Sequence, residues 1–129
     1  MRINLTSVLV DDQDKALKFY TGILGFVEKT NISLGKFKWL TLVSPEGPAG
    51  IELLLEPNEN AAAATFQKAL HDQGIPLTMF AVDDIKKEHE RMTALGVRFK
   101  VAPTPAGPVT IAIFDDTCGN FIQIVQTNK

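Results

Sequence analysis

The chain has 129 residues, of which 45% are hydrophobic, and carries 13 Lys and Arg against 15 Asp and Glu for a net charge of −2. That length and apolar share suit one folded domain and exclude a disordered chain. The near-balanced charge, with no run of basic residues, excludes a nucleic-acid or anionic-membrane stripe, and no apolar stretch approaches the ~20 residues of a membrane span. The single cysteine excludes an intrachain disulfide and a cysteine-based zinc cluster, and the opening Met1–Asp12 does not read as a signal peptide, so a cytoplasmic protein is expected.

In chain order, 3–10 is apolar and β-branched and predicts a strand, closed by Asp11 and Asp12. A helix is predicted over 13–23, because Ala16, Leu17, Phe19, Tyr20, Ile23 and Leu24 recur at spacings of three and four, and Gly25 is placed to end it. Strand patterns follow at 26–33, 36–44 and 50–56, broken at Leu34-Gly35 and at the proline- and glycine-rich 45–50. Residues 58–74 predict a helix capped by Asn58 or Asn60, with Phe66 and Leu70 as its apolar stripe and Gly74 at its end. The first pattern then returns: a strand at 77–82, Asp83-Asp84, a helix at 85–95 closed by Gly96, and strands near 97–101, 109–115 and 119–126. Residues 102–108, with three prolines, read as a connecting loop or a lid.

The recurrence is an internal repeat. Val10-Asp11-Asp12 matches Val82-Asp83-Asp84 at an offset of 72, and Leu24-Gly25-Phe26 matches Leu95-Gly96-Val97 at 71. Setting Glu52 against Gln123 again gives 71. The expected organisation is α+β: a βαβββ module at 1–57, a linker helix at 58–74 and a second βαβββ module at 75–129.

Taken with its residues, the repeat resembles the vicinal oxygen chelate superfamily, which holds glyoxalase I, bleomycin-resistance proteins and extradiol dioxygenases. The matching segments are VLVDDQDKALKFYTGILGF (8–26), GIELLLEP (50–57), FAVDDI (80–85), ALGV (94–97) and DDTCGNFIQIV (115–125). The resemblance implies one domain built of two cupped mixed sheets, a small-molecule ligand in the cup and a homodimer. In the superfamily's enzymes each module supplies two metal ligands, one on its first strand and one on its last. Those positions fall here on Leu5, Glu52, Leu77 and Gln123. Leucines stand where histidines are usual, and a neutral amide stands where a second glutamate is usual. A divalent metal site wants three or four N, O or S ligands, so no metal cofactor is expected; a metal held by Glu52 and Gln123 is the alternative. His71 reads as a solvated residue of the linker helix and His89 as a packed residue of a helix–sheet boundary.

Strand alternation sorts the remaining candidates. Leu5, Ser7 and Leu9 share one face, as do Glu52 with Leu54, Leu77 with Met79, and Phe121 with Gln123. By resemblance these faces line the cup, and Trp39, beside Thr41 on the third strand, is a candidate to stack on a ligand ring. The opposite faces, Val8, Val10, Ile51, Leu53, Leu55, Phe80, Val82, Ile122 and Ile124, are expected under the helices. Glu52 stands out, because a carboxylate inside an apolar strand costs several kcal/mol unless paired or neutralised. It reads either as a structural hydrogen-bond partner, to backbone or to Gln123, or as a polar anchor or general base facing a ligand. Cys118 has no base near it in sequence and is not expected to be a nucleophile. Two functions follow. One is a metal-free protein that binds a small amphipathic molecule, like the bleomycin-resistance proteins. The other is a glyoxalase-type lyase or isomerase, or an extradiol-type dioxygenase, using Glu52.

Overall fold

The computed structural model describes residues 1–129. The chain divides into two compact units, Met1–Phe66 and Gln67–Lys129. Unit 1 holds β1 (Leu5–Val10), α1 (Gln13–Gly22), β2 (Val27–Leu34), β3 (Phe37–Val43) and β4 (Glu52–Pro57). Helix α2 (Ala61–Asp72) runs across the unit boundary. Unit 2 holds β5 (Thr78–Ala81), α3 (Ile85–Ala94), β6 (Phe99–Ala106), β7 (Val109–Asp115) and β8 (Phe121–Thr127).

The two sheets have one topology. Their orders are β1-β4-β3-β2 and β5-β8-β7-β6, and both are mixed and open. In each, the first strand runs parallel to the last, and the remaining pairs are antiparallel. The acidic pairs of the repeat explain how the helices begin. Asp12 accepts the Lys15 amide and Asp84 accepts the Lys87 amide, each satisfying a donor that a first helical turn leaves free. Gly25 and Gly96 follow the helices at φ 87 and 89, where a side chain would be strained.

In unit 1 the helix-side face buries Val8, Val10, Leu40, Leu42, Leu53 and Leu55 with Ala16, Phe19 and Tyr20 of α1. In unit 2 Ile122, Ile124, Ala112 and Phe114 do the same with Ile85 and Met92 of α3. Ile51 departs from the expected set: it precedes β4 and is exposed. Gln13 fastens α1 to its sheet, donating to the Lys38 and Leu55 carbonyls at 2.8 Å each and accepting the Lys38 amide at 3.0 Å. Beside it, the Lys38 ammonium lies 2.7 Å from the Asp14 carboxylate and holds that group below the ordinary aspartate range.

Three expectations are corrected. Helix α2 is shorter than 58–74, and Asn60 caps it, accepting the Ala62 and Ala63 amides. Its buried residue is Gln67, whereas Phe66 is 54% exposed. The amide of Gln67 donates to the Asn120 side chain and the Cys118 carbonyl, which draws that face of the helix inward for hydrogen bonds rather than for apolar area. Residues 102–106 are strand, not loop; only Gly107 and Pro108 separate β6 from β7. Pro103 and Pro105 are tolerated because β6 is an edge strand with irregular register, so a missing N–H costs no ladder bond on the open side.

Candidate ligand-binding site

Glu52 defines the open face of unit 1. It lies directly across from Leu5, as Leu54 does from Ser7 and from Thr41. Trp39 lies across from Ile32 on the neighbouring strand. Alternation puts Leu5, Ser7, Leu54, Thr41 and Trp39 on the side away from α1 with Glu52. The centre of this face is closed, with Thr41 0% exposed and Leu54 buried. Its margin is open, with Trp39 at 40% and Ile32 and Leu34 also exposed.

The Glu52 carboxylate has a different partner for each oxygen. Oε1 accepts the Thr41 hydroxyl at 2.7 Å, and Oε2 lies 3.6 Å from the Lys29 ammonium. Gln123 is not its partner. Lys29 reaches this face because the β2–β3 register shifts between Glu28 and Thr30, leaving Lys29 without a cross-strand mate. Sequence reasoning missed Lys29: alternation alone cannot see a bulge. The carboxylate thus sits, as a hydrogen-bond acceptor and half of an ion pair, at the rim of a closed apolar centre. It is a fixed negative group that a ligand on this face would meet.

In unit 2 the corresponding face is differently furnished. Met79 lies across from Gln123 and is exposed, and the Gln123 amide donates to its sulfur at 3.2 Å. The Leu77 amide donates to the Phe121 carbonyl at 2.9 Å. Leu5 pairs with Glu52, but Leu77 is two residues removed from Gln123's mate. Phe121, not Gln123, therefore holds Glu52's place in the ladder. The β3–β4 connection (44–51) is longer than the β7–β8 one (116–120), so no single offset carries the repeat through both last strands. Phe121 is covered by a stacked His71 ring, with centroids 4.4 Å apart and planes within 3°. His71 is thus half-buried rather than solvated, with Nε2 3.6 Å from the Asp115 carboxylate. His89 packs edge-on against Phe99, as expected of a boundary histidine. Cys118 is fully buried.

Of the four positions the sequence offered for a metal, two hold leucines, one a carboxylate already engaged by Thr41 and Lys29, and one an amide bonded to a thioether, while Phe121, the ladder's counterpart of Glu52, brings no donor. No group of three or more His, Cys, Asp or Glu converges anywhere in the chain. These residues do not fit a divalent ion, which needs several hard or borderline donors and charge to offset its dehydration.

A mixed open sheet carrying one helix, built twice in one chain, defines the glyoxalase and bleomycin-resistance class of fold. The family model for the glyoxalase/bleomycin resistance protein/dioxygenase superfamily matches residues 2–124, and the chain belongs to that superfamily. It is 57% identical over 126 residues to YurT of Bacillus subtilis (strain 168), described as an uncharacterized protein, covering 98% of this chain and 99% of that one. Among solved structures it is similar to UcmS2, at 26% identity and a TM-score of 0.83, with 98% of each chain covered. It is also similar to TnmS3, an antibiotic binding protein from Streptomyces sp. CB03234, at 26% identity and a TM-score of 0.76, with 99% of this chain and 97% of that one covered. No helix is long and apolar enough to cross a membrane.

Proposed function

We propose that this is a metal-free small-molecule-binding protein of the bleomycin-resistance type, a cytoplasmic homodimer that holds an amphipathic ligand against its open sheet faces. The observation that carries the reading is the open face of unit 1. There the Glu52 carboxylate, held by Thr41 and Lys29, shares a largely apolar face with the exposed Glu56, which lies across from Leu9, and with a half-exposed indole farther along the same face. Such a face takes an aromatic or aliphatic body by apolar contact and orients it through a few polar groups. Leu5, Ser7 and Trp39 supply the contact surface in unit 1, around the buried Leu54, and Leu77, Met79, Phe121 and Gln123 supply one in unit 2. The antibiotic-binding neighbour supports a ligand of this class. The exposed Val27, Ile32 and Leu34 support a second copy as the cover for surface that a small monomer would not leave open.

Trp39 is the only tryptophan in the chain, so its fluorescence reports on this face alone. Titration with a planar aromatic antibiotic should quench or shift it saturably, and native mass spectrometry should find a dimer carrying a co-purified small molecule. A monomer at micromolar concentration would overturn the dimer. No saturable change of Trp39 with any aromatic amphipath would overturn the binding face.

A further inference from the structure

The end of the sheet in unit 2 holds a cleft of about 410 Å³, lined by His71, Gly96, Arg98, Asp115, Thr117 and Gly119. We propose that this cleft is a second ligand site, which takes a small molecule through a carboxylate or phosphate group with Arg98 as its principal contact. The site is distinct from the Glu52 face and does not depend on that reading.

The charge arrangement carries the argument. Arg98 makes no ion pair or side-chain hydrogen bond, although a carboxylate lines the same cleft. That carboxylate, Asp115, is already committed. Its Oδ1 accepts the Thr117 amide at 2.7 Å, and its Oδ2 faces His71 Nε2 at 3.6 Å. Two residues beyond Arg98, the Lys100 ammonium sits over the Phe121 ring at 5.2 Å with no acidic partner. The cluster therefore holds two uncompensated cations and an imidazole around one occupied carboxylate, in a chain whose net charge is −2. A free guanidinium presents a planar fork of donors that matches the two oxygens of a carboxylate or phosphate.

The walls are set in place before any ligand arrives. The Asp115 amide donates to the Arg98 carbonyl at 3.0 Å, tying the root of Arg98 to the end of β7. The His71 ring is fixed against Phe121. Thr117 is the only non-glycine residue at positive φ, 63, and the carboxylates of Asp115 and Asp116 hold its turn through the Thr117 and Cys118 amides. Preorganised walls spare a ligand part of the ordering cost of binding.

The test is a two-dimensional amide NMR titration with inorganic phosphate and, separately, acetate, at ionic strength held constant with sodium chloride. Saturable shifts of the Thr117 and Gly119 amides and of the His71 ring protons are expected. Arg98→Gln should weaken the response by about tenfold or more, Arg98→Lys by less because it keeps the charge and loses the fork, and Arg2→Gln not at all. Saturation by acetate alone assigns a carboxylate ligand, and saturation by phosphate alone a phosphoryl one. Absence of saturation with either anion, or an unchanged response in Arg98→Gln, overturns the proposal. Arg98 is exposed, so a dispersed spectrum of the variant will establish that it still folds. Trp39 fluorescence unmoved by phosphate would keep this site separate from the Glu52 face.

Discussion

Replacing Glu52 separates what its two oxygens do. In Glu52→Gln the amide oxygen can still accept the Thr41 hydroxyl, now 2.7 Å from Oε1, and only the Lys29 contact is lost. The Lys29 side chain is 51% exposed and Glu52 24%, so that ion pair is screened and its loss should cost no more than about 1 kcal/mol. In Glu52→Ala the Thr41 hydroxyl, 0% exposed, loses its acceptor. A buried donor stranded in this way costs about 1–3 kcal/mol, and the missing side chain adds a packing loss. The expected order is therefore wild type, Glu52→Gln slightly below it, and Glu52→Ala well below both. Denaturation in urea at neutral pH measures it, and adding Thr41→Val to each background closes a double-mutant cycle. Thr41→Val should rescue part of the Glu52→Ala loss, because it removes the stranded hydroxyl. If Glu52→Gln proves as damaging as Glu52→Ala, the charge rather than the acceptor oxygen is what the fold needs. Glu52 would then be the partner of a buried cation, not a screened acceptor at the rim of the face.

Other outcomes follow from single observations. Asp116 is fully buried and accepts the Cys118 and Asn120 amides and the Asn120 side chain; Asp116→Asn sets an NH2 group against Asn120 Nδ2 and should destabilise by about 2–4 kcal/mol in chemical denaturation. A loss under about 0.5 kcal/mol would show that the turn relaxes. The Asp14 carboxyl, held down by Lys38, binds its proton less tightly folded than unfolded, so the pair's small contribution is present at neutral pH and disappears as pH falls through the folded value. Carboxyl NMR titration should find Asp14 below the ordinary aspartate range and returned toward it in Lys38→Met. A chelator should leave the melting temperature unchanged, and elemental analysis should find less than one equivalent of any first-row transition metal. Stoichiometric zinc, nickel, iron or manganese would bring back the metal-dependent enzyme.

The features legible in the sequence are those written in local chemistry. The twin acidic pairs announce both helix starts because capping is decided within one turn, and the apolar alternation of β1, β4 and β8 announces the helix-side core because burial follows strand period. Lys29 is hidden because a bulge resets the alternation, and nothing in Glu28-Lys29-Thr30 marks one. The burial of Gln67 is hidden because its partners, Cys118 and Asn120, are about fifty residues away. His71 reads as solvated for the same reason: its face is set by Phe121 and Asp115.

The equivalence of Glu52 and Gln123 shows the limit most clearly. Matching by chain order aligns glutamate with its near-isostere and gives two similar faces. The ladder instead puts Phe121 in Glu52's place, because the loop before β8 is shorter. One sheet thus presents a carboxylate, countered by a lysine and a threonine, where the other presents an aromatic ring capped by an imidazole. Two sheets of one topology then offer a ligand opposite chemistry at the same structural position. The uncompensated positive charge of unit 2 stands at the end of its sheet, around Arg98, where the repeat in the sequence gives no counterpart to look for.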